Sequence, residues 1–555
     1  MMPRTQNQAL TATETMTKRD YLLAIGAMTG NSLDGVDVVL TRFGKDGSIT
    51  DLKSHSVVSP AQLTERLRTV REVINTAGGD MNEAVRRLDK LAGGGVEEAG
   101  VRLDELSVED EGRAAHCRFD DVQNQYIRFV AGAIQELIAL AKADAKLSAD
   151  YDLNNIDLIG FHGQTCAHFP PSIARTADPN VTYTVQIGDG QALADLTGIP
   201  VVYDFRSDDL MHGGEAAPLA PVHHQHLAER LRKQGRFPIA FCNAGNTGNF
   251  TIISGTAGSG AQGQPPAAQV SVLGWDAGPF NNYPDRLVQL ERGEECDRDG
   301  KFGSKGKVNI ALLERLFDTA VITQDGRNYL LEPPPKSSDP QWYRLIPELT
   351  GEASCGGEKL SFEDRLRTAE YFSAYIYVHA LSMVPEHLPM PRYFALCGGG
   401  WKNPVVKDHF AGLLLGDFEN NPVLERHRDS FAKLLQRLAA SNEQAGTAED
   451  RAVVVAMADE FGFDGTAMEA RIFADAAVSR IRGQAFTRPS TTGVERDTVC
   501  GIIRFPGGTP DGGSANLRGW LDEFKSQDAT VDRPEVFDGR WSRASAGWNA
   551  RLAKN

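Results

Sequence analysis

Short apolar runs punctuated by Gly-, Asn- and Ser-rich turns alternate with stretches of helical periodicity along this 555-residue chain. Residues 21–27 and 36–40 are apolar and flank the turn T-G-N-S-L-D-G, which predicts a β-hairpin with a tip of small and hydroxylated residues. Residues 122–141 set Tyr126, Val130, Ile134, Leu137 and Ala141 on one face of a helix. Strands are expected at 156–161, 183–187, 199–205 and 393–396, with a short helix at 190–197. The run 237–253 repeats the opening pattern: an apolar strand, the turn N-A-G-N-T-G-N, then F-T-I-I. Alternating strands and helices indicate an α/β fold, and two hairpins of one design suggest a duplicated, two-lobed chain.

Composition narrows the function classes. A net charge of -16 disfavours nucleic acid and anionic membrane surfaces as partners. No apolar stretch approaches the roughly 18–20 residues that span a bilayer. Residues 1–20 mix Arg4, Lys18 and Arg19 with Glu14 and Asp20 and have no apolar centre, so they are expected to form a disordered tail. Seven widely spaced cysteines without a C-x-x-C suggest reduced thiols and a cytoplasmic location. Three segments read as excursions: the Gly/Gln/Pro loop 255–270, a polar insertion at 416–450 with a solvent-facing helix, and an unassigned extension from 507.

The chemistry-bearing residues cluster at strand ends, where open α/β sheets bind ligands. In the first turn Gly30 and Gly35 permit positive φ and let a ligand approach the backbone closely. Thr29, Asn31 and Ser32 can donate to phosphate oxygens, and Asp34 and Asp37 could hold a cation or its water shell. G-F-H-G-Q-T (160–165) and Y-D-F-R (203–206) suit a polyhydroxylated ligand; Asp204 and Arg206 read equally as sugar ligands or as a buried ion pair. G-W-D-A-G-P-F-N (274–281) exposes Asp276 between glycines, and C-G-G-G-W-K-N-P (397–404) gives a flat surface for a nucleotide. His223, His224 and His226 look like a metal cluster but open an amphipathic helix and read as packing, as do the thiols of Cys242 and Cys397. No P-loop and no well-placed G-x-G-x-x-G occurs.

Together these segments resemble the anhydro-N-acetylmuramic acid kinase family, sugar kinases of the actin/hexokinase/Hsp70 superfamily. Its M-S-G-T-S-L-D-G-V-D is matched by M-T-G-N-S-L-D-G-V-D (28–37), and H-G-Q-T-x-x-H by H-G-Q-T-C-A-H (162–168). Q-I-G-D (186–189), T-G-I-P-V-V-x-D-F-R (197–206) and C-G-G-G-x-x-N-P (397–404) are intact. G-G-Q-G-A-P-L-x-P is matched by G-G-E-A-A-P-L-A-P (213–221), and D-x-x-x-M-E-A-x-x-F-A by residues 464–474. Four departures surround the phosphates and the cleft rim. Asn31 replaces Thr, N-A-G-N-T-G-N replaces N-I-G-G-I-A-N, Phe280 replaces Gly, and P-P-K-S-S-D-P-Q (334–341) replaces P-P-K-S-T-G-R-E. Phe280 must pack away from the sugar or crowd it.

The resemblance implies a two-lobed, ribonuclease H-like duplicated fold with a cleft between lobes: a lobe over 21–240, a second over 241–510, and an extension over 511–555. It implies an ATP- and Mg²⁺-dependent kinase that opens a 1,6-anhydro sugar and phosphorylates O6, in amino-sugar recycling, with sugar and ATP as partners and room for a homodimer. Asp276 would be the general base. Gly30, Asn31, Ser32, Leu33, Asp34, Gly35, Val36 and Asp37 would form the first ATP-phosphate loop, with Asp34 toward the metal. Asn243, Gly245, Asn246, Gly248 and Asn249 would form the second. Gly398, Gly399, Gly400 and Asn403 would face adenosine; His162, Gln164, Thr165, Asp204, Arg206 and Glu469 would frame the sugar. Levoglucosan kinase, or a weakened binding or regulatory homologue, are the alternatives.

Overall fold

The structure, a computed structural model, describes residues 19–30, 32–92, 118–178, 180–256, 269–442, 453–465, 467–509 and 512–525. Asn31, the tail 1–18, residues 257–268 and 443–450, and the end of the chain beyond 525 lie outside the described residues.

The opening pattern folds as anticipated. β1 (Tyr21–Thr29), β2 (Gly35–Gly44) and β3 (Ile49–Val58) form an antiparallel meander, and β4 (Leu158–Phe161) joins β1 in parallel. β5 (Gln164–Phe169) and β6 (Tyr183–Ile187) form a separate hairpin, and β7 (Val201–Tyr203) extends the sheet beside β4. The plan then repeats. β8 (Ile239–Ala244), β9 (Thr247–Thr256) and β10 (Gln269–Pro279) form a second meander, with β11 (Tyr393–Cys397) and β12 (Val454–Met457) added in parallel. Among the described strands the orders are β3-β2-β1-β4-β7 and β10-β9-β8-β11-β12, the same sequence of antiparallel and parallel neighbours twice. This is a two-lobed duplicated α/β fold.

Each lobe lends a helix to the other. Ala220–Lys233 follows the first sheet but packs on β9 and β10, where Gly274 leaves space that a Cβ would fill 2.6 Å from Pro221. Met468–Ile481 follows the second sheet but lies on β1, β2 and β4. It comes so close that a Cβ at Gly26 or Gly160 would sit 1.8 or 1.9 Å from the carbonyl oxygens of Ala470 and Phe473. Those two glycines are register partners on adjacent strands, so they form one seat for an alanine-rich helix. β13 (Ile502–Arg504) then pairs with β7, so residues 468–481 and 502–504 join the first sheet, where the sequence puts them in the second lobe, while the turn Pro489–Thr492 between them packs on β10.

The two exchanged helices meet through polar groups. His223 and His226 each bond Asp475 through Nδ1 (2.7 and 2.8 Å), Arg471 donates to His223 Nε2, and Arg471 pairs with Asp51 of β3. Burial opposes charge here, yet the two imidazoles hold the Asp475 carboxyl well below its ordinary range. The histidine cluster is therefore a lobe-to-lobe contact. Among the described residues no group of three His, Cys, Asp or Glu side chains is arranged to hold a metal, and six cysteines carry free thiols.

The extension also has a place. Helix Ala515–Lys525 buries Trp520, whose indole donates to Arg19 O, and Asn516 donates to Tyr21 O and Asp157. In the insertion, helix Arg428–Asn442 buries Phe431, Leu434 and Leu438, so one face joins the core where a solvent-facing helix was anticipated. No helix among the described residues is long and apolar enough to cross a membrane.

Candidate active site

A cleft of about 590 Å³ runs between the two hairpin tips. At the first tip the strained residue is Leu33 (φ 63°), whereas Gly30 and Gly35 do not use the positive φ that glycine permits. Gly35 is needed for another reason: a Cβ there would lie 2.4 Å from the carbonyl oxygen of Val57 on the neighbouring strand. Leu33 and Val36 turn their side chains into the first core. Gly30, Ser32, Asp34 and Asp37 line the cleft. Ser32 Oγ donates to Asp34 (2.6 Å) and Ser56 Oγ to Asp37 (2.5 Å). Burial, together with Asp34 and Asp464, raises the Asp37 carboxyl above its ordinary value despite that bond.

The second tip is held from behind. Phe280 and Asn281 backbone N–H groups donate to the carbonyls of Asn246 and Gly245, and Tyr377 OH donates to those of Asn243 and Asn249. Phe280 packs away from the cleft, fully buried and edge-on to Tyr377 (5.2 Å) and Trp401 (4.8 Å). Gly248 stays clear of the cleft and abuts Tyr377, while Asn243, Gly245, Asn246 and Asn249 line it. Asn243 Nδ2 also donates to Glu469 on the exchanged helix (3.1 Å), joining the lobes at the cleft wall. Burial raises the Glu469 carboxyl, with Asp37 and Asp34 adding to the effect.

Beyond this tip Gly398 (φ 88°) and Gly399 line the cleft, with Asn281, Asp285 and Lys402. Gly400 instead abuts Asn281. Asn403 faces away, its Nδ2 donating to Glu370 and its Oδ1 accepting from Val405 N. Burial and neighbouring Asp297 push the Asp285 carboxyl up to about 7.

At the opposite end Asp276 sits on a bulge in β10 and is 4 % exposed. A bulge re-aims a side chain out of the regular alternation. Its Oδ2 accepts from Ser337 Oγ and Ser338 N (both 3.0 Å). Its backbone is pinned on both sides, N–H to Lys336 O and C=O from Tyr329 OH. Burial pushes the carboxyl up to about 6, moderated by these donors and by Arg206. Lys336 lies beneath, donating only to the carbonyls of Tyr329 and Leu330, and burial brings its ammonium down to about 7.

His162, Thr165, Arg206 and Glu469 line the cleft; Gln164 and Asp204 do not. Gln164 is fully buried and donates to Thr165 O. Asp204 and Arg206 form no ion pair. Asp204 (φ 56°) accepts from Ser207 Oγ at 2.6 Å, and burial pushes it up to about 6. Arg206 donates to Ala216 O and to His162 Nε2. Because β7 stops at Tyr203, the two residues leave the strand before their side chains can align. An arginine only donates, so His162 must be the neutral acceptor. Burial, then Arg206, keeps its imidazole well below the ordinary value.

Sequence reasoning missed several groups that share this wall: His168, Thr184, Gln186, Ser338 and Asp339. His168 and Gln186 lie inside matched motifs, which was the available signal. Asp339 stands where the family pattern has Gly; burial pushes it up to about 6.

Repeated sheets of one strand order, with a cleft between their small-residue tips and a buried carboxylate on its wall, define a two-lobed ligand-binding fold. The family model described as anhydro-N-acetylmuramic acid kinase matches residues 101–421. A protein of that name from Agrobacterium fabrum is 31% identical over 353 residues, covering 64% of this chain and 74% of its own. Those from Rhizobium etli (29% over 483 residues) and Methylorubrum populi (30% over 487) each cover 87% of this chain and 98% and 99% of their own. The chain belongs to the anhydro-N-acetylmuramic acid kinase family.

Proposed function

We propose that the protein uses ATP to open 1,6-anhydro-N-acetylmuramic acid and phosphorylate its O6. The observation that carries this reading is Asp276: a buried carboxylate at the cleft wall, near Arg206, with a proton affinity close to working pH. That is the condition in which a general base serves best. Asp276 takes a proton from water as the water oxygen bonds to C1 and the C1–O6 bond breaks toward O6. The freed O6 then bonds to the γ-phosphorus as the bridge to ADP breaks, and Asp276 returns its proton to solvent. The backbone of 30–37 and residues Asn243, Gly245, Asn246 and Asn249 would hold the phosphates, with Gly398 and Gly399 against adenosine. His162, Thr165 and Arg206 would hold the sugar. Three carboxylates crowd one wall, Asp34, Asp37 and Glu469: Asp34 raises the proton affinity of Asp37, and both raise that of Glu469. They are not arranged to ligate a metal directly; a Mg²⁺ ion would be held through its water shell, and its chemistry would be neutralisation of the phosphates. Lobe closure would limit futile ATP hydrolysis.

A second reading, an unsubstituted sugar such as levoglucosan, is favoured by Asp339. Asp339 and Gln341 together move a carboxylate two positions along the loop, and Pro340 removes a guanidinium that could meet the lactyl carboxylate of the muramic sugar. An ATP-consumption assay with both sugars in parallel decides between them. We expect the muramic sugar to be turned over faster. Faster turnover of levoglucosan would favour the second reading, and no ATP consumption with either would overturn both.

A further inference from the structure

We infer that His168 is a positioning residue that holds Asp276 through Ser337, at the end of a hydrogen-bond chain with one direction. This rests on the reading of Asp276 as the base. The chain crosses four separate segments of the sequence. Gln186 Nε2 donates to Thr184 Oγ1 (2.9 Å), Thr184 Oγ1 meets His168 Nδ1 (3.1 Å), His168 Nε2 meets Ser337 Oγ (3.1 Å), and Ser337 Oγ donates to Asp276 Oδ2 (3.0 Å).

The chemistry of the two ends fixes every proton between them. An ionised Asp276 can only accept, so the single Ser337 proton points at it. Ser337 Oγ must then accept from His168, which puts the imidazole proton on Nε2. Nδ1 is left as an acceptor, satisfied by the Thr184 hydroxyl, whose oxygen takes the Gln186 amide proton. The alternative tautomer would draw the Ser337 proton off Asp276. Burial, then Arg206, brings the His168 imidazole down to about 3, so it stays neutral throughout the working range. His168 is also the anchor of the loop itself: its carbonyl accepts from Gln341 Nε2 (2.6 Å) and Trp342 Nε1 (2.8 Å). Asp276 therefore owes both its loop and its hydroxyl donor to one residue on β5.

The charged and titratable groups that face Asp276 are Arg206, Asp339, Lys336, Tyr329, Tyr343 and Tyr377. His168 is faced by Arg206. None of these is altered in the variants below.

Two measurements test the inference. Long-range ¹H–¹⁵N correlation on ¹⁵N-histidine protein, with His168 assigned through His168→Gln, reads the tautomer without substrate. We expect a neutral Nε2–H ring from pH 5 to 8; an Nδ1–H ring, or titration near 6.5, would overturn the assignment. In turnover assays His168→Leu should lower kcat roughly 10-fold or more with the ATP KM little changed. With Ser337 no longer held in its donating orientation toward the charged form, the acid limb of the pH profile should also move up by about half a unit or more. Thr184→Val, which frees the tautomer without opening a cavity, should move the limb the same way. His168→Gln, which keeps a donor, should restore part of both effects. Ser337→Ala should reproduce the shift, and His168→Leu should add nothing to it in that background. Full additivity, or an unmoved limb in both His168→Leu and Thr184→Val, would overturn the inference while Asp276→Asn remains inactive. Near-normal turnover of Asp276→Asn would instead overturn the reading of the base, and the positioning role with it.

Discussion

The two hairpin tips stand at equivalent places in sheets of equal strand order, yet they are held in different ways. The first is tied by its own turn, Leu33 N–H to Gly30 O and Ser32 to Asp34, and carries the carboxylates of Asp34 and Asp37. The second carries no carboxylate. Its carbonyls are bound by Phe280, Asn281 and Tyr377, and Thr247 reaches the Asp276 loop through Tyr343 (2.6 Å) and Ser338 (2.8 Å). Duplication supplied two similar turns; side chains from elsewhere made one a charged rim and tied the other to the loop that holds Asp276.

The sharpest separation of the two comes from Asp276→Asn. Turnover should fall by about 10²–10⁴-fold, the range for loss of a general base, while calorimetric ATP binding persists. Gly30→Val should do the reverse at the first tip. A Cβ there meets only Ser32 Oγ, at 3.3 Å, so the fold should survive while the branched side chain obstructs the cleft and the ATP-binding heat disappears. Unchanged thermal melting beside lost heat checks this.

Tyr343→Phe probes the link peculiar to the second tip. Losing a hydrogen bond worth about 0.5–1.5 kcal/mol should lower kcat roughly 2- to 10-fold and leave the ATP KM alone. A proportionate rise in ATP KM would mean that the link serves binding instead.

The smallest effect is in stability. Glu215, where the family pattern has Gln, accepts from Ser172 N and Oγ, and burial pushes it up to about 8 from an ordinary 4.5. A folded value above the unfolded one gives stability that is full below about pH 4.5 and is lost as pH rises through about 8. Glu215→Gln removes that loss, so the fall in Tm between pH 5 and 8.5 should become smaller, as melting curves would reveal.

What the sequence disclosed is what local pattern encodes. The hairpins at 21–40 and 237–253, the strand Tyr183–Ile187 and helix Gly190–Thr197 follow from runs of apolar residues and turn chemistry within a few positions. The site's small-residue tips were legible for the same reason. The exchanged helices were not, because the seat for Met468–Ile481 is a pair of glycines, Gly26 and Gly160, far away in the chain. The ion-pair reading of Asp204 and Arg206 failed on backbone direction, which spacing alone does not carry, although Arg206 does line the cleft. Ser337 and His168 were missed because their significance lies in a contact between β5 and a loop some 170 positions later, 169 apart in number.

Turnover in H₂¹⁸O with rapid quenching and mass spectrometry shows whether water opens the sugar and the freed O6 takes the phosphate. One ¹⁸O at C1 and none in the transferred phosphate is the expected result. Label in the phosphate, or an unlabelled C1, would contradict it.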